Sequence, residues 1–211
     1  MLLNIKGKGY KTRLLNPIDE LYDRLLHVKT FGLAQYNSNV DHPHWTCDYV
    51  PTPYRHLFLL LRLANIDHNT VLIDFGCGLG RALFAAHHLG AKQCIGVEFD
   101  SELCKAAENN ILRSRTPSKI EVHCLDAAQF MIPKEANLLF FFNPFGIGTM
   151  RSVVSNIITS LNRNPRSIQI IYLNPIKREA FSESPFFKLE KTLPEVPGKR
   201  YAADFWTASK D

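Results

Sequence analysis

The stretch VLIDFGCGLGR, residues 71–81, runs through branched and aromatic side chains, meets an Asp, and breaks into three glycines two residues apart. Five apolar-rich residues of this kind suit a strand covered on both faces. Gly76, Gly78 and Gly80 then let the backbone turn sharply and let a flat ligand approach with no Cβ in the way. The residues after Arg81 are helix formers, so the turn joins a strand to a helix.

Working outward, the same alternation continues. Strands are expected at TVLIDF, QCIGVEF, IEVHCL, NLLFFF and SIQIIYL. Helices are expected between them, at 80–89, 101–115, 148–162 and 176–182. Near the end, FFKLEKTL and KRYAADFWTAS flank Pro197-Gly198, the signature of an antiparallel hairpin. Alternating strands and helices closed by a hairpin define an α/β fold: a Rossmann-like, doubly wound, mostly parallel sheet. Before it lies a different region. NPIDELYDRLLHV offers Asn16 as an N-cap and Pro17 as first helical residue, with Ile18, Leu21, Tyr22 and Leu25 on one face. A second helix, YRHLFLLLRLANI, follows Thr52-Pro53 and is apolar enough that both its faces should be largely covered. The chain thus divides into a helical segment, 1–69, and a core, 70–211.

The 211 residues suffice for one full hydrophobic core. A net charge of +5 permits an acidic partner without demanding one. No apolar run approaches the ~20 residues of a membrane span, so no membrane partner is expected. The first residues, MLLNIKGKGYKTR, lack the apolar core of a signal peptide. Five cysteines without a C-x-x-C pair fit a reducing compartment, and a cytoplasmic location is expected.

The glycines could serve a nucleotide phosphate, a dinucleotide or S-adenosylmethionine. No G-x-x-x-x-G-K-[ST] is present, which excludes a P-loop. A dinucleotide would suit Glu98, 20 residues beyond Gly78, as a ribose-binding acid. The third Gly of that fingerprint is missing, however, since Arg81 or Leu83 stands there in either register. The pattern is instead D-x-G-x-G-x-G.

DFGCGLG followed by GVEFD resembles the first two motifs of class I S-adenosylmethionine-dependent methyltransferases, and IEVHCLDAAQF is similar to their segment after the third strand. The resemblance implies that S-adenosylmethionine is the cofactor. It implies that Asp74, Gly76, Cys77, Gly78 and Gly80 line its methionine and ribose side. Glu98 would hold the ribose hydroxyls, Phe99 would pack on the adenine, and Asp126 and Ala127 would read the adenine edge.

LLFFFNPFG, residues 138–146, carries the acceptor side. Asn143-Pro144-Phe145 resembles the [DN]-P-P-[FY] motif of methyltransferases acting on planar nitrogens, with one Pro missing and the ring a residue early. By that likeness Asn143 is catalytic and also touches the cofactor, while Pro144 and Phe145 bind substrate. Together with YVPTPY, the N-P-F also resembles a bacterial subgroup of these enzymes, and more distantly the non-SET protein lysine methyltransferases. That analogy makes the segment before residue 69 a lid and gives Tyr54 a catalytic and substrate-binding place.

Methyl transfer is a displacement that needs alignment more than a triad, and none is visible. His42, His44, Cys47 and Asp48 could ligate a metal, but no second knuckle accompanies them, and no metal is expected. His87 and His88 fall late in a helix, where a cation suits the dipole. The expected function is methylation of a nitrogen in a protein side chain or small molecule. The modest charge argues against a large nucleic-acid acceptor. The alternatives are an NAD(P)-dependent oxidoreductase, disfavoured by the absence of Y-x-x-x-K, and a non-catalytic S-adenosylmethionine-binding module.

Overall fold

The computed structural model describes residues 17–30, 50–114, 117–198 and 200–210. Its centre is a seven-stranded sheet ordered β3-β2-β1-β4-β5-β7-β6. The parallel strands are β1 (Val71–Phe75), β2 (Gln93–Glu98), β3 (Ile120–Cys124), β4 (Leu138–Phe142) and β5 (Ser167–Leu173). The last two, β6 (Phe187–Leu193) and β7 (Ala203–Ser209), form the antiparallel hairpin, with β7 against β5. Strand order reverses at β1, which lies between β2 and β4, and it is outside the carboxyl ends of the strands at such a point that open α/β sheets hold their ligands.

All five residues of β1 are buried, as expected for a strand covered on both faces. One face carries Ile73, Phe75, Phe141 and Tyr172 beneath α5 (Ile147–Arg163) and the short α6 (Glu179–Ser182). Phe75 stacks on Phe141 at 4.8 Å. The other face carries Leu72, Phe140 and Ile171 beneath α2 (Tyr54–Leu63) and α3 (Arg81–His88). The remaining helices are α1 (Pro17–Leu26) and α4 (Ser101–Arg113).

Two expectations are corrected. Helix α6 covers only 179–182 rather than 176–182, because Pro175 follows a left-handed Asn174 and Ile176 N–H turns back to the Asn174 carbonyl at 2.8 Å. Helix α1 is rotated from its expected setting. Its Asp19 and Asp23 are buried, whereas Ile18, Leu21 and Leu25 are exposed, and only Tyr22 of the apolar set is half-buried. Hydrogen-bond partners for the two acids, described below, outweigh the apolar stripe. Helix α2 meets its expectation in part: Tyr54, Leu57, Phe58, Leu60 and Leu61 are buried, but Leu59 and Leu63 keep an exposed edge. In packing, Val28 and α2 share one apolar cluster with β1, β4 and α3.

Candidate active site

The site is built on the loop between β1 and α3. Gly76 N–H and Cys77 N–H donate to the Val97 carbonyl at 2.8 and 3.2 Å, folding the loop onto β2. Gly76 has φ +76°, and a methyl group there would come within 2.7 Å of Pro144 Cβ. The glycine is therefore required twice, by its backbone and by the chain lying on it. A second glycine, Gly96 in the middle of β2, is just as constrained. A Cβ on it would sit 2.6 Å from Cys77 Sγ and 2.9 Å from Leu83 Cδ1. Cys77 is accordingly sealed beneath the loop, where burial pushes its thiol well up. Its sulfur is therefore closed to solvent.

Glu98 closes the loop from the other side. Its Oε2 accepts from Gly78 N–H at 2.9 Å, and its Oε1 accepts from Phe99 and Asp100 N–H at 2.9 and 3.0 Å. Burial raises its pKa against those three hydrogen bonds. The carboxylate thus shapes the glycine loop, with Oε2 still able to take a further donor. Phe99 is exposed beside it. At the neighbouring strand end, Asp126 Oδ1 accepts from Ala128 N–H at 2.9 Å, capping a single 3-10 turn that begins at the buried Ala127.

Asp74 is the outlier. It is buried in β1 with no hydrogen-bond partner among the described residues, and burial, then the Glu98 charge, pushes its pKa up to about 8. A buried carboxyl left without a donor fits a ligand that brings its own, such as the ammonium of an amino acid.

The chain after β4 lies against the glycine loop. Asn143 adopts φ +40°, a left-handed setting that Asn tolerates better than most residues. Its Oδ1 accepts from the Tyr172 hydroxyl at 3.4 Å. That hydroxyl also accepts from Lys177 N–H at 3.2 Å, and burial pushes the phenol up to about 12, so it stays protonated. Pro144 lies on Gly76, and Phe145 packs against the core beside it. Asn174 was missed by sequence reading. It leaves β5 with φ +52°, and because Phe142 pairs with Leu173 it stands beside Asn143. The Asn-Pro after its strand is visible in the sequence, but the pairing of β4 with β5 that gives it meaning is not.

Asp74, Gly76, Cys77, Gly78, Gly80, Glu98, Phe99, Asp126, Ala127, Asn143, Pro144 and Phe145 all belong to the β1–β4 strand ends or the loops leaving them. Tyr54 has a different setting from the one expected. It is fully buried, and its hydroxyl donates to Asp23 Oδ1 at 2.8 Å, so it holds α1 rather than facing a substrate. His87 also departs from expectation, since burial lowers its pKa and opposes a cationic role at the helix end. His42, His44, Cys47 and Asp48 lie outside the described residues. Among the described residues no three acids, cysteines or histidines cluster as a metal site, and no helix is long and apolar enough to cross a membrane.

A glycine loop closed by an acid from the next strand, in a sheet of this order, defines the class I S-adenosylmethionine-dependent methyltransferase fold. The chain belongs to the ribosomal protein L11 methyltransferase (PrmA) family, whose model matches residues 52–161. It is 48% identical over 53 residues to the ribosomal protein L11 methyltransferase of Hamiltonella defensa, across 25% of this chain and 17% of that protein. It is 31% identical over 75 residues to a protein-lysine N-methyltransferase of Saccharolobus islandicus, across 35% and 47%. The chain thus aligns with less than half the length of these curated relatives. An RNA methyltransferase from Salinibacter ruber, solved with S-adenosyl-L-homocysteine, shares the fold with a TM-score of 0.57 and 23% identity, over 77% of this chain and 95% of that one. The cofactor of the family is S-adenosylmethionine, and the orphaned Asp74, the glycine loop and Glu98 fit it.

Proposed function

We propose that the protein transfers a methyl group from S-adenosylmethionine to an amino nitrogen of a protein side chain. The observation that carries this reading is the contact of Pro144 with Gly76, which sets the Asn143-Pro144-Phe145 turn directly on the cofactor loop. Relatives named for ribosomal protein L11 and for protein lysine support a protein acceptor over a small molecule. Family membership disfavours the NAD(P) alternative.

When bound, the cofactor supplies an electrophilic methyl on a sulfonium, so the protein's task is alignment and exclusion of water. Asp74 faces the ammonium end and Glu98 the ribose, fixing the donor along the strand ends. Asn143 offers its side-chain oxygen to an acceptor N–H. Its oxygen is held by the Tyr172 hydroxyl, so the amide keeps one orientation. Tyr172 is too weak an acid to serve as an anionic base, and the amine reacts after losing its proton to solvent.

The test is transfer of tritiated methyl from S-adenosylmethionine to purified ribosomal protein L11 and to a whole ribosomal protein fraction, followed by amino-acid analysis. Labelled methyl-lysine supports the reading, and label confined to an α-amino group would overturn the side-chain acceptor. Label confined to RNA or to small molecules in a parallel extract would overturn the protein acceptor.

A further inference from the structure

Rotation of α1 buries two carboxylates at the expense of its apolar stripe, and such burial is costly unless each oxygen is satisfied. The partners are specific. Asp19 Oδ1 accepts from Tyr54 N–H at 2.9 Å, capping α2, whose own N-cap, Pro53, provides no side-chain hydrogen bond. Asp19 Oδ2 meets Arg81 Nη1 at 3.3 Å. Asp23 accepts from Thr30 N–H at 2.7 Å, from the Thr30 hydroxyl at 2.6 Å and from Tyr54. The Thr30 oxygen in turn accepts from Arg81 Nε at 2.7 Å, and the guanidinium lies 4.9 Å from the centre of the Tyr54 ring.

Arg81 directly follows Gly80 and is the first residue of α3. It is the residue that spoiled the dinucleotide fingerprint, and its side chain reaches back to the N-terminal segment. Asn110, buried on α4, grips the same two regions. Its Nδ2 donates to the Leu79 carbonyl at 3.1 Å and to the Lys29 carbonyl at 3.0 Å, and its Oδ1 accepts from Lys29 N–H at 2.9 Å. Both amide hydrogens and the oxygen go to main-chain atoms, one contact on the glycine loop and two on the strip after α1.

We infer that Arg81 and Asn110 are positioning residues that fix the glycine loop by bolting residues 19–30 to it, so that docking of α1 and binding of the cofactor are one coupled equilibrium. This rests on the donor-site reading above. The back of the loop, residues 79–81, is held by the N-terminal segment, while its ligand face is set by Glu98. Loosening the bolts lets the loop leave the geometry the ligand needs. By reciprocity, bound ligand must tighten α1. Thr30 makes the coupling visible, because its hydroxyl bridges Asp23 of α1 and the Arg81 side chain.

The test uses the full chain: calorimetric titration with S-adenosylmethionine of wild type, Thr30→Val, Asn110→Asp and Arg81→Lys, with hydrogen exchange of residues 19–30 in wild type with and without that ligand. Each folded variant should bind roughly tenfold more weakly, within the usual range of coupling between sites. Exchange at residues 28–30 should slow when ligand is added. A purely structural clamp would lower the melting temperature and leave the dissociation constant unchanged, and that result overturns the inference. Should the variants fail to fold, unchanged exchange at 28–30 in ligand-bound wild type overturns it alone. Wild type that binds no S-adenosylmethionine would remove the donor-site reading itself, and the coupling with it.

Discussion

Asn143 does two jobs that different substitutions separate. Its backbone takes a left-handed conformation that Gly adopts freely and Ala resists by about 1–2 kcal/mol. Its amide oxygen accepts from the Tyr172 hydroxyl, and in the proposed function it meets the acceptor N–H. Asn143→Gly should therefore keep the melting temperature near wild type and still lose most methyl transfer, while Asn143→Ala should lose both. Denaturation curves beside turnover rates check this; a fully active Asn143→Gly would leave the backbone as the residue's whole role. Asn174 at the same height allows the same pair of substitutions. The sequence offered Asn143 through a motif likeness, but Asn174 was hidden, because Asn-Pro is also an ordinary turn and only strand adjacency makes the pair meaningful.

For whole elements, the contact of the glycine loop with β2 depends on one missing side chain. Gly96→Ala would drive a methyl group into Cys77 Sγ and Leu83, at a cost of about 1–3 kcal/mol by the usual figure for overpacking. Cys77→Gly in the same chain should recover part of that loss, and a double-mutant cycle by chemical denaturation measures how much. Strictly additive effects would contradict the contact. All five parallel strands were legible within a residue or two at each end: β1, β2, β4 and β5 as largely buried apolar runs, and the edge strand β3, mostly exposed, through its β-branched Ile120 and Val122. Helix α1 was legible in extent and wrong in orientation. Its apolar stripe predicts one inward face, and nothing local in the sequence reveals that Thr30, Tyr54 and Arg81 wait for Asp19 and Asp23. The partners of those acids lie up to 62 residues away, beyond any periodicity.

For the molecule as a whole, the buried acids set how stability responds to pH. Asp74 titrates at about 8 in the fold against 3.8 in an exposed chain. Between about pH 4 and pH 8 the folded state thus holds a proton that the unfolded state has released, so this group's contribution to stability is full at low pH and is lost as pH rises through about 8. Asp74→Asn removes the titration. Its melting temperature relative to wild type should climb steadily from about pH 5 to pH 8, as followed by scanning calorimetry. A constant difference would place the Asp74 proton elsewhere. Burial raises Asp19 and Glu98 in the same sense, whereas hydrogen bonds lower Asp67 and Glu183 and act in the opposite sense.

The β1–β4 strand ends are the proposed seat of S-adenosylmethionine. The most direct measurement is a calorimetric titration of the purified protein with that ligand and, in parallel, with NADH, repeated on Glu98→Ala. Glu98 ties Gly78 to β2 through its side chain, so its loss should damage both the ribose contact and the loop. Binding of S-adenosylmethionine in the micromolar range, weakened at least about tenfold by Glu98→Ala, is the predicted result. No heat with S-adenosylmethionine, or a preference for NADH, would contradict it.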